Sequence, residues 1–199
     1  MAINLVKAGE SVVLDKGLSH VTVGLKWGGG TAKPKGILGT LFGGGGSSKA
    51  IDVDSSVALY DANNRLVNTI YYARPIGQGI KHAGDDRSGN KKYGKEDNEE
   101  IYVDLTQLDP SVTKLYVVAN IFSGAYDFTD PALEGSYMRL TNTDNREELV
   151  RFNLDRYKGM AGLILGMVYK EWNGGWKFKA IGEGVRSSNL STIINSIKH

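Results

Sequence analysis

The 199-residue chain carries 24 Lys and Arg against 22 Asp and Glu, a formal net charge of +2, with 41% apolar and 23% charged residues. This describes a globular chain the size of one domain and excludes wholesale disorder and a nucleic-acid binder driven by bulk charge. With no cysteine, the chain has no disulfide, thiolate zinc site, iron–sulfur cluster or cysteine nucleophile.

Glycine, at 26 residues, is about twice the usual ~7%, and with only four prolines it points to an all-β chain with many turns. The start, Met1 to Lys7, lacks the basic and apolar segments of a secretory signal and enters strand-like sequence directly. The expected location is cytoplasmic, with any membrane contact peripheral at the inner face.

In the first clear strand, His20 to Trp27, Val21, Val23, Leu25 and Trp27 share one face and His20, Thr22 and Lys26 the other. The same reading gives strands over 51–60, 66–73, 100–105, 114–122, 136–142, 149–155, 162–171 and 176–182. Turn signals separate them, such as Asn142-Thr143-Asp144-Asn145 and Asn173-Gly174-Gly175. An antiparallel β-sandwich of two packed sheets is the simplest way to bury the inner faces of so many strands. At the end of the chain Leu190, Ile193, Ile194 and Ile197 follow helical spacing, with Ser188 or Asn189 as N-cap, so a short C-terminal α-helix is expected over about 188–198. The whole of 1–199 reads as a single domain.

Two segments fit no strand. The first, 28–48, holds nine glycines within 28–46 and reads as a loop insertion. It lacks the G-x-x-x-x-G-K-[ST] order of a phosphate loop. Its apolar residues Ile37, Leu38, Leu41 and Phe42 either dock a partner or membrane surface or fold back onto the sandwich. The second, 78–100, is polar and densely charged.

Period two places Asp52, Asp54 and Ser56 on one face, with the two carboxylates roughly 7 Å apart. A divalent cation would relieve their repulsion; a solvated strand edge is the plainer alternative. Two adjacent acids, a hydroxyl and flanking glycines make Gly84-Asp85-Asp86-Arg87-Ser88-Gly89 an oxygen-rich loop, and Asp97 and Glu99 add further oxygens. Such hard donors suit Ca²⁺ or Mg²⁺ rather than zinc or copper. Arg87, Lys91, Lys92 and Lys95 equally allow a self-neutralising charged loop. Hydrolase chemistry finds no support: there is no G-x-S-x-G, and the histidines His20, His82 and His199 flank no nucleophile in a recognisable setting.

Five motifs occur in a familiar order: Val21-Thr22-Val23-Gly24-Leu25-Lys26-Trp27, Ile51-Asp52-Val53-Asp54-Ser55-Ser56, His82 to Gly89, Ile101-Tyr102-Val103-Asp104-Leu105 and Asn173-Gly174-Gly175-Trp176 through Gly184. Together they resemble the TerD-type tellurium-resistance and stress-response family over about residues 1–185. The insert around Gly36-Ile37-Leu38-Gly39 looks most like the TerZ-like branch. The resemblance implies a calcium-binding β-sandwich without catalytic activity, holding one or two Ca²⁺ ions. It further implies an adaptor role in a bacterial chemical-stress system alongside membrane-bound TerC-like and TerB-like partners, with no nucleic acid. The family's D-x-D maps to Asp52 and Asp54, its G-D-N-x-T-G to Gly84 through Gly89, including Asp85, Asp86 and Ser88, and its D-D-E to Asp97-Asn98-Glu99. Where the family often has Asp after the tryptophan, this chain has Gly28. The alternative role is a metal-independent interaction module built on the glycine-rich loop. An enzyme reducing tellurium oxyanions would need thiols or a redox cofactor for which the chain shows no site.

Overall fold

The computed structural model describes residues 18–28, 51–89, 97–122 and 126–199, and the backbone of 3–4 and 11–13. Ile37, Leu38, Leu41 and Phe42 lie outside the described residues.

Thirteen strands are described: β1 (Ile3–Asn4), β2 (Ser11–Val13), β3 (His20–Lys26), β4 (Val53–Asp61), β5 (Leu66–Ile70), β6 (Ile76–Gly77), β7 (Ile80–His82), β8 (Glu99–Asp104), β9 (Val112–Ile121), β10 (Tyr137–Asn142), β11 (Glu148–Asn153), β12 (Gly162–Lys170) and β13 (Trp176–Val185). They form two sheets. The first runs β1-β11-β10-β3-β8-β7-β6 and the second β2-β13-β12-β9-β4-β5. Pairing is antiparallel throughout except between β1 and β11, which run parallel. The expected β-sandwich is therefore present, with one parallel edge.

The alternation read in β3 is the reason the sheets stack. Val21, Val23, Leu25 and Trp27 are all no more than 2% exposed and enter one core with Val117, Ala119 and Ile121 of β9. The other face of the second sheet has its own apolar strip, which the helix α1 (Leu190–Asn195) covers. Ile193, Ile194 and Ile197 pack there on Ala58, Tyr60, Tyr116, Val118 and Ile164. Asn189 caps α1, its Oδ1 accepting the Thr192 amide at 3.0 Å. No helix among the described residues is long and apolar enough to cross a membrane.

Candidate metal site

Three segments meet at one end of the sandwich: the start of β4, the loop after β7 and the start of β8. Strand β4 is buried on both faces there, and its side chains alternate between them. Asp54 and Ser56 point away from the core, while Ser55 points inward in phase with Val53 and Val57.

The buried centre of this end is polar. Ser55, His82 and Glu99 are each at most 2% exposed. Glu99 accepts three hydrogen bonds: from Ser55 N–H at 2.9 Å, from Ser55 Oγ–H at 2.8 Å and from the Asp86 amide at 3.3 Å. The carboxylate of β8 thereby ties the acidic loop to β4 across the space between the sheets. His82 completes the arrangement. Its Nδ1 accepts the Gly84 amide at 3.1 Å, so the ring proton is on Nε2, which faces Glu99 Oε2 at 3.4 Å and Ser55 Oγ at 3.3 Å. With Ser55 and Glu99 sharing one ring nitrogen and all three groups buried, the three side chains clasp β4, β7 and β8 together.

Trp27 locks the loop from the other side. Its amide donates to Asn98 Oδ1 at 2.9 Å and its indole Nε1–H to the Ile51 carbonyl at 2.8 Å. Gly28 follows at φ +73°, and a Cβ there would stand 3.0 Å from the Gly89 carbonyl oxygen. Any L side chain at position 28, an aspartate included, would be strained in this backbone and crowded against the loop.

Held in this way, Asp52, Asp54 and Asp85 each present a carboxylate oxygen, and the three oxygens lie within 4.8 Å of one another. Asp52 Oδ1 is buried and has no hydrogen-bond partner. Burial, and then the nearby carboxylates of Glu99, Asp52 and Asp85, push the Asp54 pKa up to about 8. Burial and then Asp85 and Glu99 push Asp52 up to about 6. Arg87 donates to Asp85 Oδ2 at 3.0 Å from the solvent side. Three converging carboxylates, one of which also has a buried oxygen without a partner, suit a hard divalent cation.

The remaining predicted residues sit around this cluster in other roles. Asp86 accepts from Ser88 N–H and Oγ–H, both at 2.9 Å, and from Asn98 Nδ2 at 3.2 Å, so Asp86 and Ser88 close the loop on itself. Asp97 lies over Gly24 on the outer face of the first sheet, where Arg139 of β10 holds it at 2.8 and 3.0 Å. The residues not expected among the site's side chains are Ser55, Asn98 and Asn120, the last donating through Nδ2 to Asp54 Oδ2 at 3.3 Å; His82 stands in the quoted motifs, but its place against Glu99 and Ser55 does not follow from them. Ser55 carries a signal, being a polar residue in phase with the core positions Val53, Val57 and Leu59.

A model of the TerD domain matches residues 1–196 of the chain. The stress response protein SCP2 of Bacillus subtilis is 34% identical, covering 98% of each chain. The tellurium resistance protein TerZ of Serratia marcescens is 30% identical, covering 98% of this chain and 96% of that one. Among solved structures, a homologue of telluride resistance protein TerD from Streptomyces coelicolor superposes with a TM-score of 0.68 at 20% identity, covering 89% of this chain and 96% of that one, a likeness of fold.

Proposed function

The chain belongs to the TerD domain family of tellurium resistance and stress response, and from that premise we propose that it is a non-enzymatic calcium-binding adaptor in such a system. The observation that carries this reading is the convergence of Asp52, Asp54 and Asp85, with two of the three carboxyls pushed up in pKa by burial and by one another. A bound Ca²⁺ removes that repulsion and fastens the loop of residues 84–89 to β4. Glu99, Asp86 and Ser88 serve the ion by holding the loop in place, and Asp97 by anchoring the entry to β8 through Arg139. The ion-ordered loop then offers a calcium-dependent surface to other tellurium-resistance proteins, including membrane-bound TerC-like and TerB-like components.

Calorimetric titration of the chelator-treated protein with Ca²⁺ and Mg²⁺, repeated on Asp85→Ala, tests the ion. The expected result is saturable Ca²⁺ heat in the native chain and its loss in the variant. No heat together with no rise in melting temperature would overturn the reading.

A further inference from the structure

Two hairpin turns project from the end of the second sheet that lies away from the carboxylate cluster. One, residues 61–65, joins β4 to β5, and the other, residues 171–175, joins β12 to β13. Strands β4 and β12 flank β9 on its two sides, so the turns stand about 10 Å apart. The length of β4 from Asp54 to Asp61 sets them roughly 23 Å from the cluster.

The second turn carries Trp172 at its tip, on a backbone that is fixed by its own hydrogen bonds. Glu171 N–H donates to the Gly175 carbonyl at 2.7 Å, Gly174 N–H to the Glu171 carbonyl at 3.0 Å and Gly175 N–H to Asn173 Oδ1 at 2.9 Å, with Gly174 at φ +83°. On this frame Trp172 is 97% exposed, whereas Trp27 and Trp176 are buried. The largest apolar side chain of the turn is thus held out in water and contributes nothing to the core. Just past the first turn, Leu66 and Val67 are 48% and 41% exposed, so apolar surface stands on both sides of β9. The charge around it is positive. Among the described residues, Arg65, Lys114, Lys170, Lys177 and Lys179 stand in or beside the turns, against Asp61, Asp109 and Glu171. Glu171 is paired with Lys177 at 2.7 Å, and Asp61 and Asp109 each turn Oδ1 onto amides of their own turns at 2.8 and 2.9 Å. Arg65, Lys170 and Lys179 are exposed, with no acid partner among the described residues.

We propose that these two turns dock the protein on an anionic phospholipid surface. Trp172 seats at the headgroup level, where an indole buries its apolar ring and still donates its N–H. Leu66 and Val67 add apolar contact beside it, and Arg65, Lys170 and Lys179 meet the lipid phosphates, an attraction that a neutral bilayer does not supply. A convex tip bearing an apolar ring among cations suits a fluid bilayer, which receives it without a shape-matched pocket. The docking end is the one remote from Asp52, Asp54 and Asp85, so this inference goes beyond the calcium reading and does not depend on it.

The test adds vesicles of equal parts phosphatidylglycerol and phosphatidylcholine, or of phosphatidylcholine alone, to the full chain with chelator present, and reads tryptophan emission and cosedimentation. The long-wavelength emission belongs to Trp172, since the other two tryptophans are buried. It should move to shorter wavelength on the anionic vesicles as the protein cosediments, with little change on the neutral ones, and added salt should reverse both effects. Lys170→Gln and Lys179→Gln should each weaken cosedimentation by about fivefold, the worth of one lysine near an anionic surface. Trp172→Ala should weaken it by about tenfold or more, the loss of one aromatic ring from the interface. All three side chains are exposed, so the melting temperatures should stay at the native value, which separates lost docking from lost folding. The proposal is overturned if the anionic vesicles neither shift the emission nor retain the protein, which would leave the turns to a protein partner. It is equally overturned if neutral vesicles bind as well, or if the three variants bind like the native chain. Because chelator is present throughout, failure here says nothing against calcium binding, and loss of calcium binding says nothing against the docking.

Discussion

At Asp54, burial and the facing carboxylates move the pKa from 3.8 to about 8, and at Asp52 to about 6. Between about pH 4 and pH 8 the ion-free folded chain therefore holds more protons at these groups than the unfolded chain. Their contribution to stability is greatest in acid and is lost as pH rises through the folded values. This runs opposite to a salt-bridged aspartate. The melting temperature of chelator-treated protein should accordingly fall between pH 5 and pH 8, and Ca²⁺ should restore it most strongly at pH 8. Since the ion must displace these protons, its affinity should begin to weaken as pH drops below about 8, well above the range near 4 in which an ordinary carboxylate titrates. Isothermal titration at several pH values checks this. Ser55→Ala removes the shorter of two Ser55 hydrogen bonds to the buried Glu99 carboxylate. It should destabilise the fold by about 1.5–3 kcal/mol, read by urea denaturation, the usual size of a bond to a charged group.

Strand β4 and helix α1 show how much of the architecture can be read from pattern alone. Every expected strand from 20 onward is present, and α1 has Asn189 as its cap, because long amphipathic segments declare their period in the side chains themselves. The strands β1, β2, β6 and β7 span only two or three residues each and exist by pairing with distant partners, so no local period marks them. The same holds within the site. Asp52, Asp54 and Asp85 were visible as clustered acids. The Asp97–Arg139 pair was not, because it depends on β3 lying between β8 and β10 and on Gly24 leaving room: a Cβ there would come within 2.2 Å of Asp97 Oδ2. Gly24→Ala should therefore dislodge Asp97, lower the melting temperature and weaken the calcium heat, because the anchor of the entry to β8 is lost. For α1, Ile193 is fully buried beneath the helix, and Ile193→Ala should cost about 2–5 kcal/mol in denaturant titration.

For the molecule as a whole, a site that joins β4 to the loop after β7 links ion binding to the docking of one sheet on the other. Any ion that binds only the folded state stabilises it by mass action, by about 2.7 kcal/mol at a hundredfold excess over Kd. Amide exchange should therefore slow on adding Ca²⁺ in residues 84–89 and 97–99, and in β4 as well. A different consequence follows from the edge strands. Strands β1 and β2 each supply an edge, β1 alongside β11 in the first sheet and β2 alongside β13 in the second. Removing β1 and β2 would unpair the backbone at Val150 and Arg151 of β11 and at Lys177, Phe178 and Lys179 of β13. Exposed edges of this kind recruit strands from other molecules, so the shortened chain should form intermolecular β-structure and scatter light at concentrations where the intact protein stays clear. That outcome would assign these two short edge strands the task of keeping the molecule from self-assembly, separate from holding any ion.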